Sequence, residues 1–100
     1  MAKPRTELHD ILKDFCPKVY FQPPDNLKIE YPCIVYDIAD IDARRADNRL
    51  YSTSVRYNLL YITRDPDDPT RMELLGLPYS EYDRHYVVDQ LHHDSLTLYY

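Results

Sequence analysis

The sequence predicts an α+β domain: an antiparallel four- to five-stranded sheet with a long hairpin, packed against an N-terminal helix and a short second helix. Three observations carry this. Apolar residues recur at helical spacing near the start of the chain, they alternate with the period of a strand in the middle and the last quarter, and prolines with acidic turn residues separate these stretches. At 100 residues the chain has the length of one domain, residues 1–100, able to bury about two-thirds of its unfolded surface without disulfide or metal staples. A hydrophobic share of 44% against 29% charged, with mean hydropathy −0.60, is that of a globular chain.

Leu8, Ile11, Leu12 and Phe15 fall at i, i+3, i+4 and i+7, while Lys3, Glu7, Asp10, Lys13 and Asp14 fill the other faces. This predicts a three-turn amphipathic helix. Pro4 suits its first turn, and Pro17 ends it at or before Cys16. Val19 to Phe21 reads as a short strand and Gln22 to Asn26 as a loop, because Pro23 and Pro24 cannot donate to a ladder.

From Pro32 to Ile41, Ile34, Tyr36 and Ile38 share one pleat face with Val35 opposite, as in a strand buried mainly on one side. Asp42 to Arg49 comes next as a charged connection, the tip of a long hairpin. Leu50 to Thr63 then alternates, with Tyr51, Thr53, Val55, Tyr57, Leu59 and Tyr61 on one face and Ser52, Ser54, Arg56 and Asn58 opposite. So long a strand is expected to project beyond the core. Leu60 and Ile62 make the second face apolar near its end, which predicts a helix covering that end.

Arg64 to Pro69 is a turn-rich connector, with Asp68 placed as an N-cap. A short helix from Pro69 to Leu75 is expected to lay Met72 and Leu75 on the sheet and to end in a left-handed cap at Gly76. Two last strands, about Tyr79 to Val88 and His93 to Tyr100, are joined at Asp89 to His92. Ser80, Tyr82, Arg84, Tyr86 and Val88 are placed on one face of the first, and Leu96, Leu98 and Tyr100 on one face of the second.

Composition excludes several function classes. With one glycine, Gly76, no phosphate-cradling glycine loop can be written. A formal net charge of −5 lacks the basic footprint of a chain that grips phosphate backbones. No stretch free of Asp, Glu, Lys and Arg exceeds seven residues, far short of the ~20 of a membrane span, and the N-terminus has no apolar signal core. The chain is expected to stay in the compartment where it is made. Cys16 and Cys33 lack C-x-x-C spacing and read as reduced thiols.

The strongest catalytic-looking group is Asp83, Arg84, His85, Asp89, His92 and His93, around the last hairpin. A histidine oriented by a carboxylate is the core of a general base, and Cys16 or Ser95 would be its nucleophile. Alternation puts Asp83 and His85 on one face with Arg84 pointing away, and the group reads as the solvent face of a hairpin. His85, His92, His93 and Cys33 are metal-ligand types without paired spacing, since adjacent His92 and His93 point to opposite faces. No catalytic residue, metal or cofactor is therefore expected.

Asp37, Asp40, Asp42 and Asp47 are interspersed with Arg44, Arg45 and Arg49, a mixture that suits ion pairs within the tip or with another chain. Arg44, Arg45, Asp47 and Arg49 accordingly read as a subunit-interaction loop, with a solvated hairpin tip as the alternative. Eleven tyrosines exceed what a core of this size needs, and tyrosine is enriched at wet interfaces. An apolar terminal strand, Leu-Thr-Leu-Tyr-Tyr, is safe only when paired or covered. These features favour an assembly subunit.

Tyr31-Pro-Cys-Ile-Val-Tyr-Asp-Ile-Ala-Asp-Ile, Ala46-Asp-Asn, Arg64-Asp-Pro-Asp, Tyr79-Ser-Glu-Tyr-Asp-Arg-His-Tyr-Val-Val-Asp-Gln-Leu and Leu96-Thr-Leu-Tyr-Tyr resemble the tail completion, or tail-terminator, proteins of long-tailed bacteriophages. The resemblance covers nearly the whole chain. It implies a structural virion protein forming a homo-oligomeric ring, a hexamer in most members, at the head-proximal end of the tail. Its implied partners are the tail tube protein and the head–tail connector or neck proteins. Assembly would take place in the host cytoplasm, without a membrane. Six copies would carry a charge of about −30, letting genome DNA pass through the lumen without specific binding. Head-closure or connector proteins share this make-up and are the alternative, after which comes a small α+β enzyme or ligand-binding domain built around His85 and Asp83.

Overall fold

A computed structural model describes residues 3–24, 27–46 and 49–100, with the side chains of residues 50–52 also outside the description. The chain order is α1 (Arg5–Lys13), β1 (Val19–Phe21), β2 (Cys33–Ala46), β3 (Arg49–Thr63), α2 (Thr70–Leu74), β4 (Ser80–Val88) and β5 (Leu91–Tyr99). The strands form one sheet in the order β1-β2-β3-β5-β4. Among the described residues it is an α+β fold with five strands, within the expected four to five, and the two expected helices. One edge differs from the antiparallel expectation: β1 runs parallel to β2, Val19 opposite Ile34 and Phe21 opposite Tyr36. Parallel pairing requires the chain to return along the sheet between the two strands.

One sheet face holds the core. Ile34 and Tyr36 of β2, Tyr57, Leu59 and Tyr61 of β3, and Leu96 and Leu98 of β5 meet Leu8 and Leu12 of α1 and Leu74 of α2. The helical spacing in α1 works as predicted, with Leu8 and Leu12 buried and Phe15 packed beside them. Pro4 holds the N-cap with φ −59° and ψ 138°, and its carbonyl accepts from the Glu7 N–H at 3.1 Å.

Both helices therefore lie on the same face, and among the described residues no helix covers Leu60 and Ile62. Ile62 is still 6% exposed, because it stands between Cys33 on β2 and His93 on β5. Flanking strands shield it where a helix was expected. Cys16 and Cys33 are buried free thiols, and burial together with neighbouring Cys16 pushes the Cys33 thiol up to about 12.

The charged stretch after Ile41 is strand, not loop. Pairing between β2 and β3 continues through Arg44 opposite Ser52 and Arg45 opposite Leu50 to Ala46 opposite Arg49. Cross-strand hydrogen bonding overrides the turn-like composition. β5 meets β3 only from Arg56 to Thr63, and β1 meets β2 only from Ile34 to Tyr36. The outer halves of β2 and β3 thus form a two-stranded ribbon, and the long axis of the molecule reaches 52 Å.

α2 also departs from expectation. Arg71 and Leu74, three apart, face the sheet, which leaves Met72 68% exposed while Leu75 packs on the core edge. Gly76 does not adopt a positive φ. A Cβ there would stand 3.1 Å from the Glu73 carbonyl oxygen, a tight contact that glycine avoids. Ser80 stands at the helix end, its single hydroxyl proton shared between the carbonyls of Leu77 at 2.7 Å and Leu75 at 3.1 Å.

The last hairpin turns on Asp89 and Gln90, with φ of 52° and 66°, so β5 starts at Leu91, two residues ahead of the expected His93. Two consecutive left-handed residues form the tight turn whose twist suits a hairpin, normally built with Asn-Gly. An L-residue there costs about 1 kcal/mol. Gln90→Gly is therefore expected to stabilise the fold by about 1 kcal/mol, read as a raised midpoint in urea denaturation. Leu12→Ala should lose about 2–5 kcal/mol in the same assay.

Candidate functional site

The first candidate site is a buried carboxylate missed in the sequence. Asp94 lies on the core face of β5, fully buried. Its Oδ1 accepts from the Tyr82 hydroxyl at 2.7 Å and from His85 Nδ1 at 2.9 Å. Arg71 Nε stands 3.0 Å from Oδ2 but off the line of a hydrogen bond, so it serves as a neighbouring charge. A β-bulge between Tyr82 and Arg84 brings Tyr82 and His85, three apart, to one carboxylate.

The bulge also overturns the expected faces of β4. Ser80 and Tyr82 lie opposite Leu98 and Leu96 on the core side, whereas Arg84 and Tyr86 lie opposite Ser95 and His93 on the other. Asp83 does not share a face with His85, for it accepts from the Ser95 hydroxyl at 3.2 Å on the far side of the sheet. Arg84 and His93 gather there around the ring of Tyr86. Asp89 sits in the turn.

His92 does meet His85: their rings stack at 5.4 Å, and His92 Nδ1 lies 3.4 Å from His85 Nε2. Asp94 thus orients His85 in the manner of a general-base dyad, but the other ring nitrogen of His85 faces an imidazole instead of a hydroxyl or thiol. Among the described residues no group of three or more His, Cys, Asp and Glu is gathered as a metal would require. In chemical terms the cluster ties α2 and β4 to β5.

A second polar cluster fixes the other end of α2. Asp68 Oδ2 accepts from the Tyr61 hydroxyl at 2.6 Å and the Thr63 hydroxyl at 3.2 Å, while Oδ1 accepts from the Thr70 N–H at 2.9 Å. Asp68 thus performs the predicted capping. Burial would raise its carboxyl, but the bonds from Tyr61, Thr70 and Thr63 outweigh it and hold Asp68 below its ordinary range. Burial, and after it the bond to Asp68, pushes the Tyr61 hydroxyl up to about 12.

Under α1, Arg5 Nη1 donates to the Tyr36 hydroxyl at 3.0 Å, which reaches His9 Nδ1 at 2.7 Å. Burial, then Lys13 and Arg5, depress the His9 pKa, so the neutral ring accepts a hydrogen bond from the Tyr36 hydroxyl.

The second candidate site is an exposed surface around the ribbon of β2 and β3. Arg44, Arg45 and Arg49 stand on the paired strands of the ribbon, and Asp47 lies outside the described residues. Arg44 Nε is 3.8 Å from Asp42 Oδ2 with both side chains exposed, a pair worth little to stability. A bulge between Ile38 and Asp40 puts Ile38 opposite Tyr57 and Ile41 opposite Val55, so both isoleucines share the core-side face. They are 42% and 57% exposed. Beside the root of the ribbon, Ile11 of α1, Leu77, Pro78 and Tyr79 after α2, and Tyr99 and Tyr100 wall an apolar cleft of ≈ 560 Å³ with Lys3 among its lining. Sequence reasoning missed the cleft because its walls come from four separate segments.

No helix among the described residues is long and apolar enough to cross a membrane. No protein-family model matches the chain, and no curated protein sequence matches it.

Asp94→Ala is expected to cost about 3–5 kcal/mol, because Arg71 is left buried without its counter-charge; Asp94→Leu combined with Arg71→Leu should recover part of that loss in urea denaturation. Stability should also fall with acid in two windows. Neutral His9, with a depressed folded pKa, stabilises the fold above its unfolded value of about 6.5, and this is lost as pH falls through the folded value. Asp68, likewise depressed, adds stability that is lost below about pH 4. Thermal melts across pH should lose the upper window in His9→Gln and shrink the lower one in Asp68→Asn.

Proposed function

We propose that this chain is a structural virion protein, a tail completion or tail-terminator subunit that forms a ring capping the tail tube and joins it to the neck. The observation that carries the reading is the ribbon of β2 and β3, whose outer halves pair with each other and leave Ile38 at its root and Ile41 on its face uncovered. A two-stranded ribbon standing alone in water is marginal, and cover by another molecule would stabilise both the ribbon and its exposed isoleucines. A subunit that reaches from a compact body into its neighbour is what a ring is built from.

The rest of the surface agrees with a protein partner. Tyr31, Tyr79, Tyr82 and Tyr99 are exposed, and tyrosine supplies large contact area with a hydroxyl that stays satisfied at a wet boundary. The net charge of −5 repels nucleic acid wherever enough of it lines a lumen, which suits a conduit for DNA better than a DNA-binding protein. On this reading the protein assembles in the host cytoplasm and ends in the virion, at the head-proximal end of the tail. Its partners there are its own copies, the tube protein and the neck.

Native mass spectrometry and negative-stain electron microscopy of the purified protein, alone and with tail tubes, test the proposal. The expected result is a closed ring, hexameric as in the family it resembles, that binds one end of the tube. A species that stays monomeric with and without tubes would overturn it. His85→Ala, which removes one ligand of Asp94, should lower the melting temperature and leave the ring mass unchanged.

A further inference from the structure

We infer that His85 and His92 form a site for an exchangeable divalent transition-metal ion of the zinc, nickel or copper type, held between His85 Nε2 and His92 Nδ1 with water in its remaining positions. This goes beyond the proposed function and does not depend on the chain forming a ring. Spacing along the chain hides the site, because the two histidines match no paired-ligand motif. The last hairpin brings them together. His85 lies opposite Asp94 and His92 opposite Val87, so the two rings are diagonal neighbours on the core-side face of the sheet. His93 points the other way, against the ring of Tyr86, and takes no part.

Asp94 decides which nitrogen of His85 is offered. Its Oδ1 accepts from Nδ1 at 2.9 Å, and a neutral imidazole that donates through Nδ1 keeps a bare lone pair on Nε2. A carboxylate behind a histidine is the arrangement that orients metal-binding imidazoles and raises their basicity. The carboxylate is shared with the Tyr82 hydroxyl and stands beside the Arg71 guanidinium, so Asp94 positions His85 and does not itself bind the ion. Together Asp94 and Arg71 present no net charge to an arriving cation.

The separation of the two nitrogens fits a tetrahedral ion. Two bonds of about 2.0–2.1 Å at the tetrahedral angle hold their nitrogens about 3.4 Å apart. His85 Nε2 and His92 Nδ1 are 3.4 Å apart, which is long for a direct N–H···N bond. The ring centres are farther apart, at 5.4 Å, so both rings lead with these nitrogens. A caged ion needs three or more protein ligands, and the described residues gather no such group; two imidazoles and water instead hold an ion that exchanges with the medium. Imidazole ligands favour zinc, nickel and copper over magnesium and calcium, which take oxygen. Access is open, because the His85 side chain is 37% exposed and His92 is half-buried.

The experiment titrates the untagged full chain with zinc chloride by isothermal calorimetry, alongside His92→Ala, His85→Ala and His93→Ala. His92→Ala is the decisive variant, since it leaves the bonds to Asp94 in place. The expected result is one ion bound per unaltered chain, with affinity lowered at least about tenfold in H92A and H85A and unchanged in H93A. Zinc should also raise the melting temperature of the unaltered chain and not that of H92A. Copper(II) on the unaltered chain gives a reading that needs no variant to fold: its electron paramagnetic resonance spectrum should show coupling to two imidazole nitrogens.

No uptake at sub-millimolar zinc would overturn the site, as would binding that H92A leaves intact or that H93A abolishes. A copper spectrum with a single coupled nitrogen would overturn the pairing of His85 with His92.

Discussion

A carboxylate removed entirely from water has to be met by charge and hydrogen bonds, and Asp94 draws these from two other elements. Arg71 comes from α2, and Tyr82 with His85 from β4. A five-residue helix has no stability of its own, so α2 exists because Arg71 and Leu74 hold it to the sheet and Asp68 caps its start. The segment leaving α2 inherits that position: Leu77, Pro78 and Tyr79 become one wall of the cleft, and Ser80 closes the helix end as β4 begins. The wall of the cleft is thus set by an interaction buried several residues away.

β3 is the second organising element. Its inner half is paired on both sides and carries Tyr57, Leu59 and Tyr61 into the core, while its outer half has left the body and pairs with β2. The molecule therefore combines a rigid, helix-covered end with a projecting arm. The bulges along β2 and β4 adjust this plan locally. One puts Ile38 and Ile41 on the same side of the arm, and the other turns Tyr82 and His85 toward a single oxygen. In each case one extra residue changes which side chains act together.

Several features were legible in the residues. The i, i+3, i+4, i+7 spacing of α1, the alternation of β3, the capping role of Asp68 and the opposite directions of His92 and His93 all derive from local periodicity or stereochemistry. Others were not. Asp42 to Ala46 carries the composition of a loop yet forms strand, because pairing with β3 satisfies its backbone whatever its side chains are. Met72 and Leu75 have helical spacing, but Arg71 reaching for Asp94 rotates Met72 outward. Asp94 itself gave no local sign, since it is flanked by His93 and Ser95 in a segment that reads as a half-exposed strand.

By itself the sequence determined the helices, the strand-forming stretches, the acidic balance and the exclusion of glycine-loop nucleotide sites, all properties of single segments or of the whole composition. Only the tertiary structure decided that β1 pairs parallel to β2, that both helices share one face, that a bulge converts Tyr82 and His85 into partners of Asp94, and that four segments wall a cleft beside the ribbon. The physical reason is the same throughout. Periodicity reports which side of its own axis a residue faces, whereas register, bulges and the burial of a charge are set by what the neighbouring strand or helix brings to it.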